Sequence, residues 1–190
     1  ILRCLVGSEM CIRDSDDSLL KKMNVGTQYH CLGLFSSRTG AAGQITAIDD
    51  AVKATNTEVL SIELPRDTKG WGGHGNYIVL GGNDVSDVRH AISLALELTN
   101  KYAGEVYISE SGHLEFAFSA SAGPAIHKAF GTPLGEAFGF MAGSPAAIGL
   151  VMADNAVKSA AVSITQYMTP NIGTCLLYTS PSPRDISGSR

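Results

Sequence analysis

The chain has 190 residues, 44% of them hydrophobic, with 14 basic and 18 acidic side chains and a formal charge of −4. That length holds one domain or two small ones, and no apolar run reaches the roughly 18 residues that a membrane-spanning helix requires. A mildly acidic chain with no basic stripe argues against a nucleic-acid partner.

The two ends stand apart from the rest. Residues 6–14 read Val-Gly-Ser-Glu-Met-Cys-Ile-Arg-Asp, and residues 175–185 read Cys-Leu-Leu-Tyr-Thr-Ser-Pro-Ser-Pro-Arg-Asp. The DNA string GTGGGCTCGGAGATGTGTATAAGAGAC encodes the first, and its reverse complement, read in a shifted frame, runs through the second. Chance rarely makes two termini complementary at the DNA level, and the string resembles a sequencing-library adapter. Residues 1–15 and 175–190 are therefore expected to be assembly artefacts that pack poorly and take no part in the sheets. Setting them aside removes Arg3, Arg13, Arg184 and Arg190 against Glu9, Asp14 and Asp185, and leaves a charge of −5. It also removes Cys4, Cys11 and Cys175. The remaining Cys31 supports neither a disulfide framework nor a thiolate metal site. It reads as a small buried hydrophobe and fits a reducing cytoplasm.

Between the ends, 17–23 predicts a short helix capped by Asp16 or Asp17. A strand follows over 30–36. The turn Thr39-Gly-Ala-Ala-Gly opens a helix over 44–54, with Ile45, Ile48 and Val52 on one face. Val59, Ile62 and Leu64 belong to a strand ended by Pro65, and 77–80 is apolar and partly β-branched, as a buried strand wants. The loop that joins them, 66–76, begins Arg66-Asp67-Thr68-Lys69-Gly70-Trp71-Gly72-Gly73-His74-Gly75. Its four glycines let the backbone take left-handed turns and approach a ligand or another chain closely. Ordering them is entropically unfavourable, so something beyond the loop is expected to hold it. Gly81-Gly82 reads as a turn, with Asn83 as N-cap of a helix over 84–102 whose stripe is Val85, Val88, Ile92, Ala95 and Leu96. Segments 106–108 and 114–118 form a hairpin candidate. Residues 124–130 predict a short helix and 137–142 a strand. Ser144-Pro145 supplies an N-cap and a first-turn proline for a helix through 159, and 163–167 is a strand.

No catalytic residue, metal site or cofactor is expected. The glycine-rich loop fits neither phosphate fingerprint, and no helix opens directly after it. His74 has no Cys, His or acidic partner at ligand spacing and reads as a solvated histidine rather than a metal ligand or base. Trp71 is either a packing anchor or a constriction. Glu110 and His113 read as part of a turn near Gly112 rather than as an acid–base pair, and His30, His90 and His127 as surface or satisfied residues.

The pattern strand, turn, helix, strand occurs twice. Asp49-Asp50-Ala51-Val52-Lys53-Ala54 matches Asp154-Asn155-Ala156-Val157-Lys158-Ser159, Val59 matches Ile164 at the same offset of 105, and Gly33-Leu34-Phe35 parallels Gly139-Phe140-Met141 with one gap. Such repetition usually builds a larger pseudo-symmetric object from similar parts.

The Asp-x-Ala-Val-Lys helix followed by a strand resembles the signature of the bacterial microcompartment (BMC) shell proteins. So does Pro65-Arg66-Asp67-Thr68-Lys69-Gly70 with His74-Gly75 and Leu80-Gly81-Gly82-Asn83-Asp84-Val85, which is most similar to tandem-repeat members of the propanediol-utilisation type. The resemblance covers about 17–174. It implies an α/β fold of tandem BMC domains, with mixed sheets flanked by helices. Residues 16–131 would be a first repeat lacking its first strand, and 132–174 the truncated start of a second. It further implies a homotrimeric, pseudohexameric tile that packs with other shell proteins into the facets of a cytoplasmic organelle around encapsulated enzymes. Lys53 and Lys158 would lie at the tile edge, and the loop from Arg66 to Gly75 would line a pore for small polar metabolites of a propanediol, glycerol or ethanolamine pathway. Two other readings stand beside it: a cytoplasmic enzyme using loop 66–76 for a phosphorylated cofactor, and a small-ligand-binding trimer outside any shell.

Overall fold

Two antiparallel sheets carry the fold in a computed structural model that describes residues 8–37, 41–64, 75–102, 105–109, 112–168 and 175–181. The first holds β1 (Ser8–Arg13), β2 (Cys31–Ser37), β3 (Glu58–Glu63) and β4 (Asn76–Gly82) in the order β1-β2-β4-β3. The second holds β5 (Glu105–Ser109), β6 (Gly112–Ser119), β7 (Phe138–Ser144), β8 (Val162–Met168) and β9 (Cys175–Pro181) in the order β5-β6-β7-β9-β8. The helices are α1 (Asp17–Lys22), α2 (Ala41–Lys53), α3 (Val85–Tyr102), α4 (Pro124–Phe130) and α5 (Ala146–Ser159).

The internal repeat is present in the topology. The order β1-β2-β4-β3 recurs as β6-β7-β9-β8, with β5 added at the edge. Helix α2 follows β2 as α5 follows β7. The register shift between Val59 and Ser61 in β3 recurs between Ile164 and Gln166 in β8, at the same offset of 105. The expectation of mixed sheets needs one correction, since every pairing among the described strands is antiparallel. The unit β2–α2–β3 does bring two strands into the same direction. However, β4 then inserts between them and reverses each pairing.

The ends of the chain do not behave as expected. β1 pairs with β2 from Ser8↔Ser36 to Arg13↔Cys31, and β9 lies between β7 and β8. The expectation that 1–15 and 175–190 take no part in the sheets is therefore overturned, and so is the absence of a strand before Asp17. The reason lies in the backbone. An edge strand presents unpaired N–H and C=O groups, and a neighbouring extended segment satisfies them almost regardless of its sequence. Ile12 adds an apolar contact to a small cluster of Leu20, Leu32 and Val79. Strands β5 and β6 pair into the second sheet beside β7.

Three local readings change as well. Gly81 and Gly82 are strand residues, not a turn. A Cβ at Gly81 would lie 2.8 Å from the Tyr29 ring, so glycine permits close approach there. The cap of α3 comes from Asp84, whose Oδ1 accepts from Ser86 N at 2.7 Å, rather than from Asn83. Ser144 belongs to β7, and Pro145 is the N-cap of α5. Asp16, not Asp17, caps α1 through Ser18 N at 2.9 Å.

The main core lies where α2, α3 and α4 meet both sheets. Ile45, Ile48 and Ala51 of α2 pack with Ala91, Ile92 and Ala95 of α3 over Phe35, Ile78 and Leu80. Alanines at the helix contact let the two axes approach closely. Phe130 of α4 stacks on Phe138 at 5.0 Å between ring centroids and tilts against Phe140 at 5.9 Å. Phe140→Ala is expected to destabilise the chain by about 3–5 kcal/mol, measured by urea denaturation. Deletion of residues 1–14 exposes the β2 edge and should lower the thermal midpoint and raise light scattering. An unchanged midpoint would show that β1 contributes no stability.

Candidate functional site

The feature that draws distant elements together is a carboxylate in the middle of α2. Asp49 shares a helix face with Ile45, Ile48 and Val52, and is fully buried. A charge is not left there without partners. Its Oδ2 accepts from Gly123 N at 2.8 Å, and its Oδ1 from Ala125 N at 2.8 Å and Ile126 N at 3.1 Å. These are donors at the start of α4, whose N-cap residue Gly123 has no side chain to supply a bond. Asp49 thus does from 74 residues away what an N-cap serine or aspartate ordinarily does locally. A Cβ at Gly123 would sit 2.7 Å from Asp49 Oδ2 and run into Lys53 Cε, so glycine is required by space.

Lys53, one turn on, completes the charge balance. Its Nζ lies 2.8 Å from Asp49 Oδ2 and 3.4 Å from Asp50 Oδ1, and donates to Ser121 O at 2.7 Å. Partial burial pulls the Lys53 pKa down. The hydrogen bond and charge of Asp49, with those of Asp50, outweigh it and hold the ammonium above its ordinary value. The Asp50 carboxylate also accepts from the Tyr102 hydroxyl and so ties α2 to the end of α3.

The matching pair in the second repeat is built differently. Lys158 pairs with Asp154 at 2.5 Å, but the two side chains are 69% and 55% exposed, against 35% and 0% for Lys53 and Asp49. Two lysines expected to be equivalent therefore sit in unlike settings. The first is tied into the fold, while the second pairs within its own helix turn with Asp154.

Of the expected pore loop, Arg66, Asp67, Thr68, Lys69, Gly70, Trp71, Gly72, Gly73 and His74 lie outside the described residues, and Gly75 is buried. The loop's root is a polar cluster. Ser37 Oγ donates to Gln44 Oε1 at 2.7 Å, and the Asn76 amide donates to both residues. Gln44 and Asn76 are each 1% exposed, and Asn76 Oδ1 has no hydrogen-bond partner among the described residues. Glu110 and the His113 side chain also lie outside the described residues. His30, His90 and His127 are exposed, with His127 Nδ1 2.8 Å from Thr132 O, and Cys31 is buried at 4%. No helix among the described residues is long and apolar enough to cross a membrane.

Sequence reasoning missed Asp49. The signal was present, since a charged residue stands on the apolar face of its own helix and a Gly-Pro pair opens α4 without a capping side chain.

Comparison with known proteins places this arrangement. Residues 31–111 match the model of the BMC domain. The chain is 45% identical over 179 residues to the bacterial microcompartment shell protein PduB of Limosilactobacillus reuteri, covering 91% of this chain and 75% of that one. It belongs to the bacterial microcompartment shell proteins. PduB of Citrobacter freundii is 50% identical over 165 residues, 87% of this chain, and the match spans 61% of the relative's length. The crystal structure of a trimeric bacterial microcompartment shell protein PduB superposes with a TM-score of 0.85 at 43% identity, covering 92% of this chain and 79% of that one.

For this shell-protein chain, Asp49→Ala leaves three N–H donors and an ammonium without their partner. It should destabilise the fold by about 3 kcal/mol, whereas Asp154→Ala should change stability by less than about 0.5 kcal/mol. Chemical denaturation of the two variants side by side checks this, and equal effects would remove Asp49 from its central place. The raised Lys53 pKa has a definite sign. Its contribution to stability is fully present below the ordinary lysine value and is lost as pH rises through the higher folded one. Lys53→Met should abolish that alkaline loss of stability, read as the thermal midpoint while pH is raised from 10 to 12.

Proposed function

We propose that the chain is a structural, non-catalytic component of a bacterial microcompartment shell, three copies forming a tile of pseudohexagonal outline in the bacterial cytoplasm. The observation that carries this reading is the duplicated sheet order with its duplicated bulge. Two similar units in one chain give a trimer six similar sectors. The trimeric relative, 43% identical, supports the same assembly. Other shell proteins would be its neighbours, and the relatives' name points to propanediol utilisation as the enclosed pathway. Encapsulated enzymes would lie on one side of the tile.

Within that reading Lys158 is the better edge residue. Its long apolar stem and exposed ammonium suit a contact along a neighbouring tile. Lys53 contributes with the part that its three internal partners leave exposed. The loop from Arg66 to Gly75 would line a passage for small polar metabolites. Its hydroxyls and N–H groups would bind small alcohols weakly, and Arg66 and Lys69 would attract anions. Weak binding suits passage, since a tight site blocks a pore.

Lys158→Asp is expected to leave trimers intact by sedimentation while abolishing the sheets or tubes that electron microscopy shows for the parent protein. Intact sheets contradict the edge assignment. Lys53→Asp would not test it, because that change sets a second carboxylate against buried Asp49. Shortening 70–75 to two glycines should leave tiles unchanged by light scattering but alter metabolite flux through purified compartments. Unchanged flux with normal assembly removes this loop from the pore.

A further inference from the structure

The two units of the chain meet at a joint whose parts occur a second time, exposed. Within the chain the joint runs from α2 of the first unit to α4 of the second. Its polar part is Asp49, which accepts from the N–H groups of Gly123, Ala125 and Ile126. Its apolar part is Ile126, fully buried in one cluster with Ile45 and Val52 of α2. Those two stand four residues before Asp49 and three after it, and so share its helix face.

The counterpart of α4 in the first unit is α1. Each is a short helix between the first two strands of its repeated sheet. Each also rests its last turn on the same part of that sheet. Met23 packs with Leu32 and Leu34, and Phe130 packs on Phe138 and Phe140, 106 residues further on. Aligned on their N-caps, Asp16 and Gly123, the two helices match Leu19 with Ile126 and Lys21 with Lys128. Ile126 is 0% exposed, whereas Leu19 is 42% exposed. The counterparts of Ile45 and Val52 on α5 are Leu150 and Val157, which flank Asp154 at the same spacing. They are 58% and 39% exposed, against 0% and 6% for the pair on α2. The chain thus holds one assembled joint and both exposed halves of another.

We infer that these halves meet between copies: Leu19 of one chain seats on Leu150 and Val157 of the next, as Ile126 seats with Ile45 and Val52 inside each chain. The inference rests on the trimeric tile proposed above and names the contact that closes it. A head-to-tail contact uses two different surfaces of each copy, and it ends in a ring when the rotation closes. The charged part of the joint is not repeated. The start of α4 is open to Asp49 because Gly123 has no side chain. The start of α1 is closed by its own Asp16, whose Oδ1 accepts from Ser18 N and from the Ser18 hydroxyl. A second carboxylate arriving there would meet Asp16 and Asp17 instead of free donors, and Asp154 keeps Lys158 as its partner. The joint between copies is therefore apolar where the joint within the chain is ionic, and burial of its aliphatic side chains drives it.

Sedimentation of the full chain over a range of concentrations reads this contact, and the parent is expected to run as a trimer. Leu19→Lys and Leu150→Glu are changes at exposed positions. Each should keep the parent's circular dichroism and raise the concentration for half-assembly at least tenfold. Combined in one chain, they set an ammonium opposite a carboxylate across the copies, and should recover most of the lost assembly. Leu134→Glu, 61% exposed in the turn after α4 and outside the joint, should assemble like the parent. A parent that runs as a monomer removes the trimer reading and the inference with it. A trimeric parent whose Leu19→Lys and Leu150→Glu variants assemble equally well overturns the joint alone. So does an equal loss in Leu134→Glu, or a combined variant that recovers nothing.

Discussion

A buried carboxylate sets the terms for the rest of this structure. Asp49 lies inside the molecule only because three backbone donors of α4 and the ammonium of Lys53 meet it there. Those donors lie 74 to 77 residues further along the chain, so the contact fixes the position of the second sheet's approach relative to α2. It also dictates Gly123, because no Cβ fits between Asp49 and Lys53. Phe130, at the other end of the same short helix, then lands on Phe138 and Phe140 of β7. One ionic interaction therefore orders an aromatic cluster two turns away. Such a pair is costly to break and not necessarily better than an apolar replacement, and its use here lies in geometric specificity.

The duplication gives the chain two versions of one unit, and their differences are as informative as their agreement. Strand order and the bulge are preserved. Both are properties of backbone pairing, and a sheet of this kind tolerates wide variation of side chains. Burial of the central helix is not preserved. It depends on what packs over the helix, and that is supplied by separate segments of chain. The same Asp-x-Ala-Val-Lys sequence therefore yields a buried structural anchor in α2 and an exposed i,i+4 pair in α5. An exposed pair of this kind contributes little to stability, which leaves Lys158 available for contacts outside the chain.

Much was legible from the residues alone. Hydrophobic periodicity located α2, α3 and α5, because a 3.6-residue apolar stripe has few other uses. The 109–113 turn gave the β5–β6 hairpin, and the matched hexapeptides at 49–54 and 154–159 gave the duplication. Those same residues pointed to the shell-protein family and with it to an α/β tandem fold. Such signals survive in one dimension because each is a local pattern repeated at a fixed spacing.

Tertiary structure decided the rest. Gly81-Gly82 looks like a turn in sequence, yet continues β4, where the two glycines pair with Leu32 and Cys31 of β2. The segments at 8–13 and 175–181 carry a shared, foreign-looking DNA signature, yet both are paired as strands. Unsatisfied edge groups recruit extended chain through the backbone, which every sequence possesses. The strand directions came out antiparallel only once β4 was inserted between β2 and β3. Asp49 and Lys53 read as a repeated motif in sequence, and became the joint between the two halves only when a helix start 74 residues away was brought to them. The sequence by itself thus determined which segments are helix and strand and that one unit occurs twice. Which of two identical motifs is buried depends on long-range contacts between segments far apart in the chain, and only the folded arrangement brings those together.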